Sequence, residues 1–403
     1  MIKVVTDEKK IDEFLNRGII INALPTKEDL KKILMSGKRI KIYMGFDATA
    51  NTLHLSHAKN IMLLEEFRKL GHEAILLFGD FTARIGDPSG QQGTRKTLSQ
   101  KEVLKNVKDW QKQIKNLMDF KDKINPPKIL FNSKWLAKMN MEKVLGLASN
   151  ITVSQMIERD MFQKRIKEGK HIFLHEFMYP LLQGYDSVAM DIDVELCGTD
   201  QIFNALMGRT LLRKIKNKEK IVAVVNLMEN PKTGELMSKS RGTGVFLNTT
   251  PKEMYGAIMA QPDEMIRVLF VNCTKLSLKQ IEDVLISQNP LNAKKFVAKE
   301  IVKTIHGEKM AEKAEESFIK TFQKKENPND IEAVEITGKK GDLLVNVFLE
   351  NKIISSKSDY RRLIESMAIT NLDKKQKVSS ANQLAENGVY RIGKKRFCKI
   401  KIR

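Results

Sequence analysis

Cysteine is scarce in this 403-residue chain: Cys197, Cys273 and Cys398 are its only three, far apart and odd in number. That excludes a disulfide framework and offers no spacing for a structural zinc site, so a reducing cytoplasm is the expected setting. Long apolar runs are missing too, and none approaches the length needed to cross a membrane. The start, Met1-Ile2-Lys3-Val4-Val5-Thr6-Asp7-Glu8, turns acidic before a signal-peptide core can develop, so no export signal is expected. Internal repeats and low-complexity tracts are absent, which argues against a solenoid or a tail-like chain.

The composition is that of a globular protein, 42% hydrophobic and 30% charged, and the length allows two or three domains. Acidic charge is in short supply. Seventy Lys and Arg stand against 49 Asp and Glu, a formal net charge of +21. A lysine-rich solubility device would account for this. So would attraction to a polyanion, of which RNA is the commonest large one in a cytoplasm.

The first part reads as α/β. Arg39 to Phe46 is an apolar run fit for a strand, His57 to Leu70 carries Ile61, Leu64 and Phe67 at helical spacing with Gly71 as its stop, and Ala74 to Phe78 is a second buried strand. Strand, helix and strand over some forty residues make a βαβ unit and imply a parallel sheet. Ligands on such sheets sit beyond the carboxyl ends of the strands, so chemistry is sought in the loops after Phe46 and Phe78. From Pro251 to Lys324 the pattern is mostly helical. Lys325 to Lys340 is polar and reads as a linker. The last stretch, Gly341 to Arg403, has fourteen Lys and Arg against six Asp and Glu.

The loop after the first strand places His54 and His57 three apart at the start of the predicted helix. One turn aims both imidazoles the same way, and the helix N-terminus favours an anion there. Two ordinary surface histidines are the alternative; a metal site lacks a third ligand. The second loop, Gly79 to Gly90, is glycine-rich with Asp87-Pro88 and reads as a backbone-exposing loop or a plain turn. Tyr179, Gln183 and Asp186 share one helix face beside Leu182 and Val188. Such polar groups need partners if buried: a polar aromatic ligand, or one another. Gly198-Thr199-Asp200-Gln201 offers a close-approach glycine and a carboxylate able to grip a ribose diol. Gly234 to Gly242, with Lys239, Ser240 and Arg241, suits a mobile phosphate clamp or an ordinary basic loop.

Taken in order, these segments resemble class I aminoacyl-tRNA synthetases. The histidine pair and Met237-Ser238-Lys239-Ser240 resemble the two signature motifs. Gly45-Phe46-Asp47, Ile85 to Gly90, the Tyr179/Gln183/Asp186 set and Gly198 to Gln201 are similar to the tyrosyl branch. Ser355 to Ile364 resembles the S-four-type RNA-binding module of bacterial tyrosyl enzymes. The resemblance spans nearly the whole chain. It implies a Rossmann-like catalytic domain (1–245), a helical anticodon-region domain (246–325), a linker (326–340) and a small α+β S-four-type domain (341–403).

The resemblance also implies roles. Tyr43 and Asp186 would hydrogen-bond the phenol of L-tyrosine, Asp87, Tyr179 and Gln183 would hold its ammonium, and Gln201 would lie near its carboxylate. ATP would meet Gly45, Asp47, His57, Gly198 and Asp200, with Thr49, His54, Lys239 and Ser240 on its phosphates. No general base is needed, since the tyrosine carboxylate is already a nucleophile; orientation and charge stabilisation suffice. Mg²⁺ would arrive with ATP rather than in a protein-built cage, and no bound cofactor or resident metal is expected. The expected partners are tRNA(Tyr), L-tyrosine, ATP and a second copy of the chain. Arg361, Arg362, Lys394, Lys395 and Arg396 are the expected RNA contacts, together with Lys399, Lys401 and Arg403.

Three departures stand out. Ser56 replaces a usual glycine in the first motif, which is expected to weaken ATP binding. Leu236 replaces a usual lysine in the second, leaving Lys239 to act with Lys232 or Arg241. Ser366-Met367-Ala368 replaces a glycine-rich turn in the final module. The competing readings are a tryptophanyl-tRNA synthetase and a synthetase-derived RNA-binding protein without charging activity.

Overall fold

Alternation of β-rich apolar runs with amphipathic stretches fixes the architecture. The computed structural model describes residues 2–88, 98–237, 244–323, 334–374, 376–393 and 396–402. The chain divides into two compact units, Met1–Glu312 and Lys313–Arg403. In the first, strands β1 (Ile20–Leu24), β2 (Lys41–Phe46), β3 (Glu73–Phe78), β4 (Lys128–Phe131), β5 (Val194–Gly198) and β6 (Ile221–Val225) form one sheet in the order β1-β6-β5-β2-β3-β4. All neighbours are parallel except the edge pair β1 and β6, which is antiparallel. Strands β3 and β6 are buried along almost their whole length, as expected of strands covered on both faces.

Four helices of this unit matter most: α1 (Leu55–Lys69), α2 (Gln100–Ile114), α3 (Leu174–Met190) and α4 (Ile202–Lys216). Helix α1 joins β2 to β3, as the βαβ reading required, with Ile61, Leu64 and Phe67 buried. It starts two residues before His57, so His54 is its N-cap. Gly71 ends it at φ 96°, in the left-handed region where glycine carries no penalty. The order of the sheet reverses between β2 and β5, because β2 runs on to β3 and β4 while β5 runs on to β6 on the other side. A crevice opens at such a switch point, beyond the carboxyl ends of the strands.

The helical stretch after Thr250 (Pro251–Met259, Met265–Cys273, Leu278–Ser287 and Pro290–His306) belongs to the first compact unit rather than forming a separate one. Arg17 is one tie, donating to the carbonyls of Val271, Thr274 and Leu276 at 3.0, 2.6 and 2.6 Å. No helix among the described residues is long and apolar enough to cross a membrane.

The second unit contains β7 (Val334–Gly338), α5 (Lys357–Glu365), β8 (Ile369–Asn371), β9 (Gln376–Lys377), β10 (Gly388–Ile392) and β11 (Arg396–Ile402), in the sheet order β7-β11-β10-β8-β9. Phe348, Tyr360, Ile369, Tyr390, Ile392 and Ile400 fill its core. Strand β7 corrects the expected linker of 326–340: residues 334–338 pair in parallel with β11 and bury Ile336.

Candidate active site

The crevice at the switch point is a cleft of about 570 Å³ lined by both expected groups of residues. Tyr43, Asp87, Tyr179, Gln183, Asp186 and Gln201 meet there with Gly45, Asp47, Thr49, His54, His57, Gly198 and Asp200. Segments more than 150 residues apart in sequence therefore converge because their strands lie side by side.

One end is a buried polar pocket. Tyr43, from β2, is 1% exposed and its hydroxyl lies 3.2 Å from Ser187 Oγ. Asp186, from α3, is 2% exposed and accepts from Trp135 Nε1 at 2.7 Å and Asn132 Nδ2 at 3.2 Å. Burial holds the Asp186 carboxyl well above its ordinary range despite those two donors, with the Glu195 and Asp47 charges pushing the same way. Burial likewise raises the Tyr43 phenol, so it stays protonated. A carboxyl group and a hydroxyl thus line the same buried part of the cleft, with Leu77 among its apolar residues. Leaving them without a polar ligand is costly.

Beside this pocket, a network fixes the neighbouring polar groups. Tyr179 donates its O–H to Asp47 Oδ2 at 2.9 Å, and Thr82 donates to Asp47 Oδ1 at 2.7 Å. Tyr179 therefore keeps its oxygen lone pairs as acceptors. Gly79 permits this geometry: a Cβ there would overlap Asp47 Oδ1 and Thr82 Oγ1. Asn204 donates to Gln183 Oε1 at 3.1 Å and to Gln201 Oε1 at 2.9 Å. Both amides are thereby oriented, and Gln201 donates to Asp87 Oδ2 at 2.6 Å.

At the other end, the N-terminus of α1 presents two imidazoles whose centroids are 4.1 Å apart. His57 Nδ1 accepts the backbone N–H of His54 at 3.4 Å. Its proton therefore resides on Nε2, available as a donor. Burial lowers His54 to about 4, and burial plus the neighbouring His54 lowers His57 to about 3. Both are neutral donors at physiological pH. Residues 238–243, with Lys239, Ser240 and Arg241, lie outside the described residues. The residues on either side are tied down: Met237 N–H donates to Met228 O at 2.8 Å, Leu55 N–H to Val245 O at 3.0 Å, and Leu247 N–H to Leu53 O at 2.9 Å. Ser56 and Leu236, the two departures, both line the cleft. Among the described residues, no cluster of His, Cys, Asp and Glu is arranged to hold a metal ion.

Sequence reasoning missed several lining residues and their supports: Lys59, Asn132, Trp135, Ser187, Glu195, Asn204 and Asn226. Of the expected RNA contacts, Arg361 and Arg362 are exposed on α5, and Arg396 is exposed on β11, donating to Ile353 O at 2.7 Å. Lys394, Lys395 and Arg403 lie outside the described residues.

A parallel sheet, a crevice at its switch point, an anion-favouring helix start and a nearby polar amino-acid-sized pocket together define a nucleotide-dependent enzyme of the Rossmann-like class. Residues 35–323 match the family model "tRNA synthetases class I (W and Y)". The chain belongs to that family of class I tRNA synthetases. It is 40% identical over 411 residues to the tyrosine–tRNA ligase of Carboxydothermus hydrogenoformans, and 38% identical over 402 residues to that of Thermotoga maritima. Each match covers 98% of both chains. The fold is similar to that of a C-terminally truncated mitochondrial tyrosyl-tRNA synthetase of Aspergillus nidulans, with a TM-score of 0.67 and 22% identity over 77% of this chain and 94% of that one. It is also similar to a Plasmodium falciparum tryptophanyl-tRNA synthetase, with a TM-score of 0.56 and 14% identity over 78% of this chain and 90% of that one.

Proposed function

We propose that the chain is a cytoplasmic tyrosine–tRNA ligase, which joins L-tyrosine to AMP at the expense of ATP and then transfers it to the terminal adenosine of tRNA(Tyr). The observation that carries this reading is the pairing of the Tyr43 hydroxyl and the Asp186 carboxylate at one end of a cleft whose other end is the His54/His57 helix start. A phenol O–H donates to Asp186 and its oxygen accepts from Tyr43. Tyr179 Oη, Gln183 Oε1 and Asp87 accept from the ammonium, which points the carboxylate toward Gln201 and the nucleotide. Asp200, Gly198 and His57 meet the adenosine, and Thr49 and His54 donate toward the phosphates.

Attack by a carboxylate oxygen on the α-phosphorus forms the acyl-phosphate bond and breaks the bond to pyrophosphate. Charge gathers on the departing oxygens, where the neutral His54 imidazole, the α1 N-terminus, Lys239 and Ser240 stabilise it. Mg²⁺ enters as part of the nucleotide substrate. The second unit is assigned to RNA binding as an S-four-type module, and the chain to a two-fold dimer by its sequence resemblance to the tyrosyl branch.

ATP–pyrophosphate exchange tests the reading. Tyrosine should drive exchange, phenylalanine and tryptophan should drive it only at far lower kcat/KM, and Lys239→Ala should lower the activation rate far more than tyrosine affinity. Exchange driven by tryptophan, or by no amino acid, would overturn it.

A further inference from the structure

Lys220, immediately before β6, has a wholly buried side chain. Its ammonium reaches between α3 and α4 where two glycines meet. A Cβ on Gly208 would lie 2.6 Å from Lys220 Nζ and 2.8 Å from Ser187 Oγ, and one on Gly184 would lie 3.0 Å from the Gly208 nitrogen. The helices thus leave a slot that only this lysine fills. There it pairs with Glu195, whose side chain is 3% exposed, and donates to Ser187 Oγ at 2.8 Å. Ser187 Oγ is also 3.3 Å from Glu195 Oε2 and 3.2 Å from the Tyr43 hydroxyl. A chain of contacts therefore runs from Lys220 to the pocket that holds the phenol in the proposed reading.

The direction of the protons along this chain decides what Tyr43 can do. An ammonium only donates, so Ser187 oxygen accepts from Lys220. The single Ser187 proton is left to go either to Glu195 or to Tyr43. If it goes to Glu195, Tyr43 must donate to Ser187 and has no proton for a ligand. If it goes to Tyr43, the Tyr43 proton is left either for Glu195, which also lies within its hydrogen-bond reach, or for the pocket, where a phenol oxygen already donating to Asp186 needs a donor. Lys220 tilts this choice by neutralising Glu195, which otherwise competes for the Ser187 and Tyr43 protons with only the Gln183 amide, at 3.4 Å, as a further donor. A buried ion pair is poor evidence of stabilisation by itself, since apolar replacements are often no worse. Its placement against the ligand-binding hydroxyl gives it another use.

We propose that Lys220 is a positioning residue for substrate specificity, setting the hydrogen-bond polarity of Ser187 and Tyr43 so that Tyr43 donates to the tyrosine phenol. This rests on the tyrosine-ligase reading and deepens it. The test is the ratio of tyrosine to phenylalanine kcat/KM in ATP–pyrophosphate exchange. In Lys220→Met, tyrosine should lose about tenfold while phenylalanine stays within about twofold of wild type, the loss expected of one misdirected hydrogen bond.

Lys220→Gln, which keeps an amide donor in the slot but no charge, should fold where the methionine variant does not, and should lower the ratio in the same direction. In a Ser187→Ala background the relay through the serine is cut and only the direct Glu195–Tyr43 path remains, so Lys220→Met should lower the ratio less than it does in the wild-type background. Equal losses for both amino acids, or an equally large fall of the ratio in the Ser187→Ala background, would overturn the proposal. Absence of tyrosine-dependent exchange in the wild-type protein would instead defeat the functional reading itself.

Discussion

At the residue scale, the cleft is built from groups held away from their ordinary charge states. Lys59, on α1, is 1% exposed and donates to Asn226 Oδ1 at 2.8 Å and to the Asn226 carbonyl. Burial lowers its ammonium to about 8, against a partly opposing effect of Cys273. An unfolded lysine titrates near 10.4, so between pH 8 and there the unfolded chain holds more protons and stability rises with pH. Urea unfolding of wild type and Lys59→Met at pH 7.5 and pH 10 should show the difference move toward wild type by roughly 2–3 kcal/mol. No movement would mean that Lys59 is solvated. His54 and His57 act in the same direction at lower pH. With native values near 4 and 3, they withhold protons that the unfolded chain takes up below about 6.5. Their contribution to stability is lost as pH falls from there toward 4, and ¹³C-histidine NMR should find both rings neutral at pH 5.5.

The residues that sequence made legible were those carried by ordered motifs: Tyr43, His54, His57, Asp87, Tyr179, Gln183 and Asp186 all reach one cleft. The supports were not legible, because Asn132, Trp135 and Asn204 are ordinary polar or aromatic residues with no spacing signal, and only the folded sheet brings them close. Glu195 offered a clue. A carboxylate inside the apolar run Val194–Gly198 needs a buried partner, and Lys220 stands against the equally apolar β6.

At the scale of elements, periodicity worked where a segment is covered on both faces and failed at edges. Strands β2 and β3 and helix α1 were read within two residues of their bounds. Strand β1 was missed because its five residues run buried, exposed, exposed, buried and half-buried rather than alternating, and β7 because it buries Ile336 while Val334 remains 57% exposed. The turn after α5 shows how an element ends under strain. Met367 sits at φ 49°, Met367 N–H donates to Ile364 O at 2.8 Å, and Ala368 N–H donates to Leu363 O at 2.8 Å. This is the paired hydrogen-bond closure of a helix that favours glycine at its left-handed position. A β-carbon there costs about 1 kcal/mol or more. Since Met367 is 56% exposed, little packing is lost on its removal. Met367→Gly should stabilise the second unit by roughly 0.5–1 kcal/mol after the greater unfolded-state freedom of glycine is counted. Thermal unfolding followed by circular dichroism checks this, and a lower melting temperature would show that the methionine side chain packs.

At the scale of the whole molecule, two different physical demands are met by different parts of the chain. Tyrosine selection needs dry, preorganised hydrogen bonds, and the first unit has buried polar groups of that kind beyond the carboxyl ends of its strands. Recognition of a long polyanion needs exposed cations instead, and the net charge of +21 supplies them in excess. Arg361 and Arg362 lie exposed on α5 of the second unit. The two demands should therefore separate experimentally. The slope of log affinity for tRNA against log salt should flatten by about two when both arginines are replaced by alanine, one released counterion for each lost phosphate contact. Tyrosine-dependent ATP–pyrophosphate exchange should not change in the same variant, because no nucleic acid takes part in that step. A variant that kept its salt slope would move the RNA contact elsewhere on the basic surface, and one that lost exchange would show that α5 supports the fold rather than the polyanion.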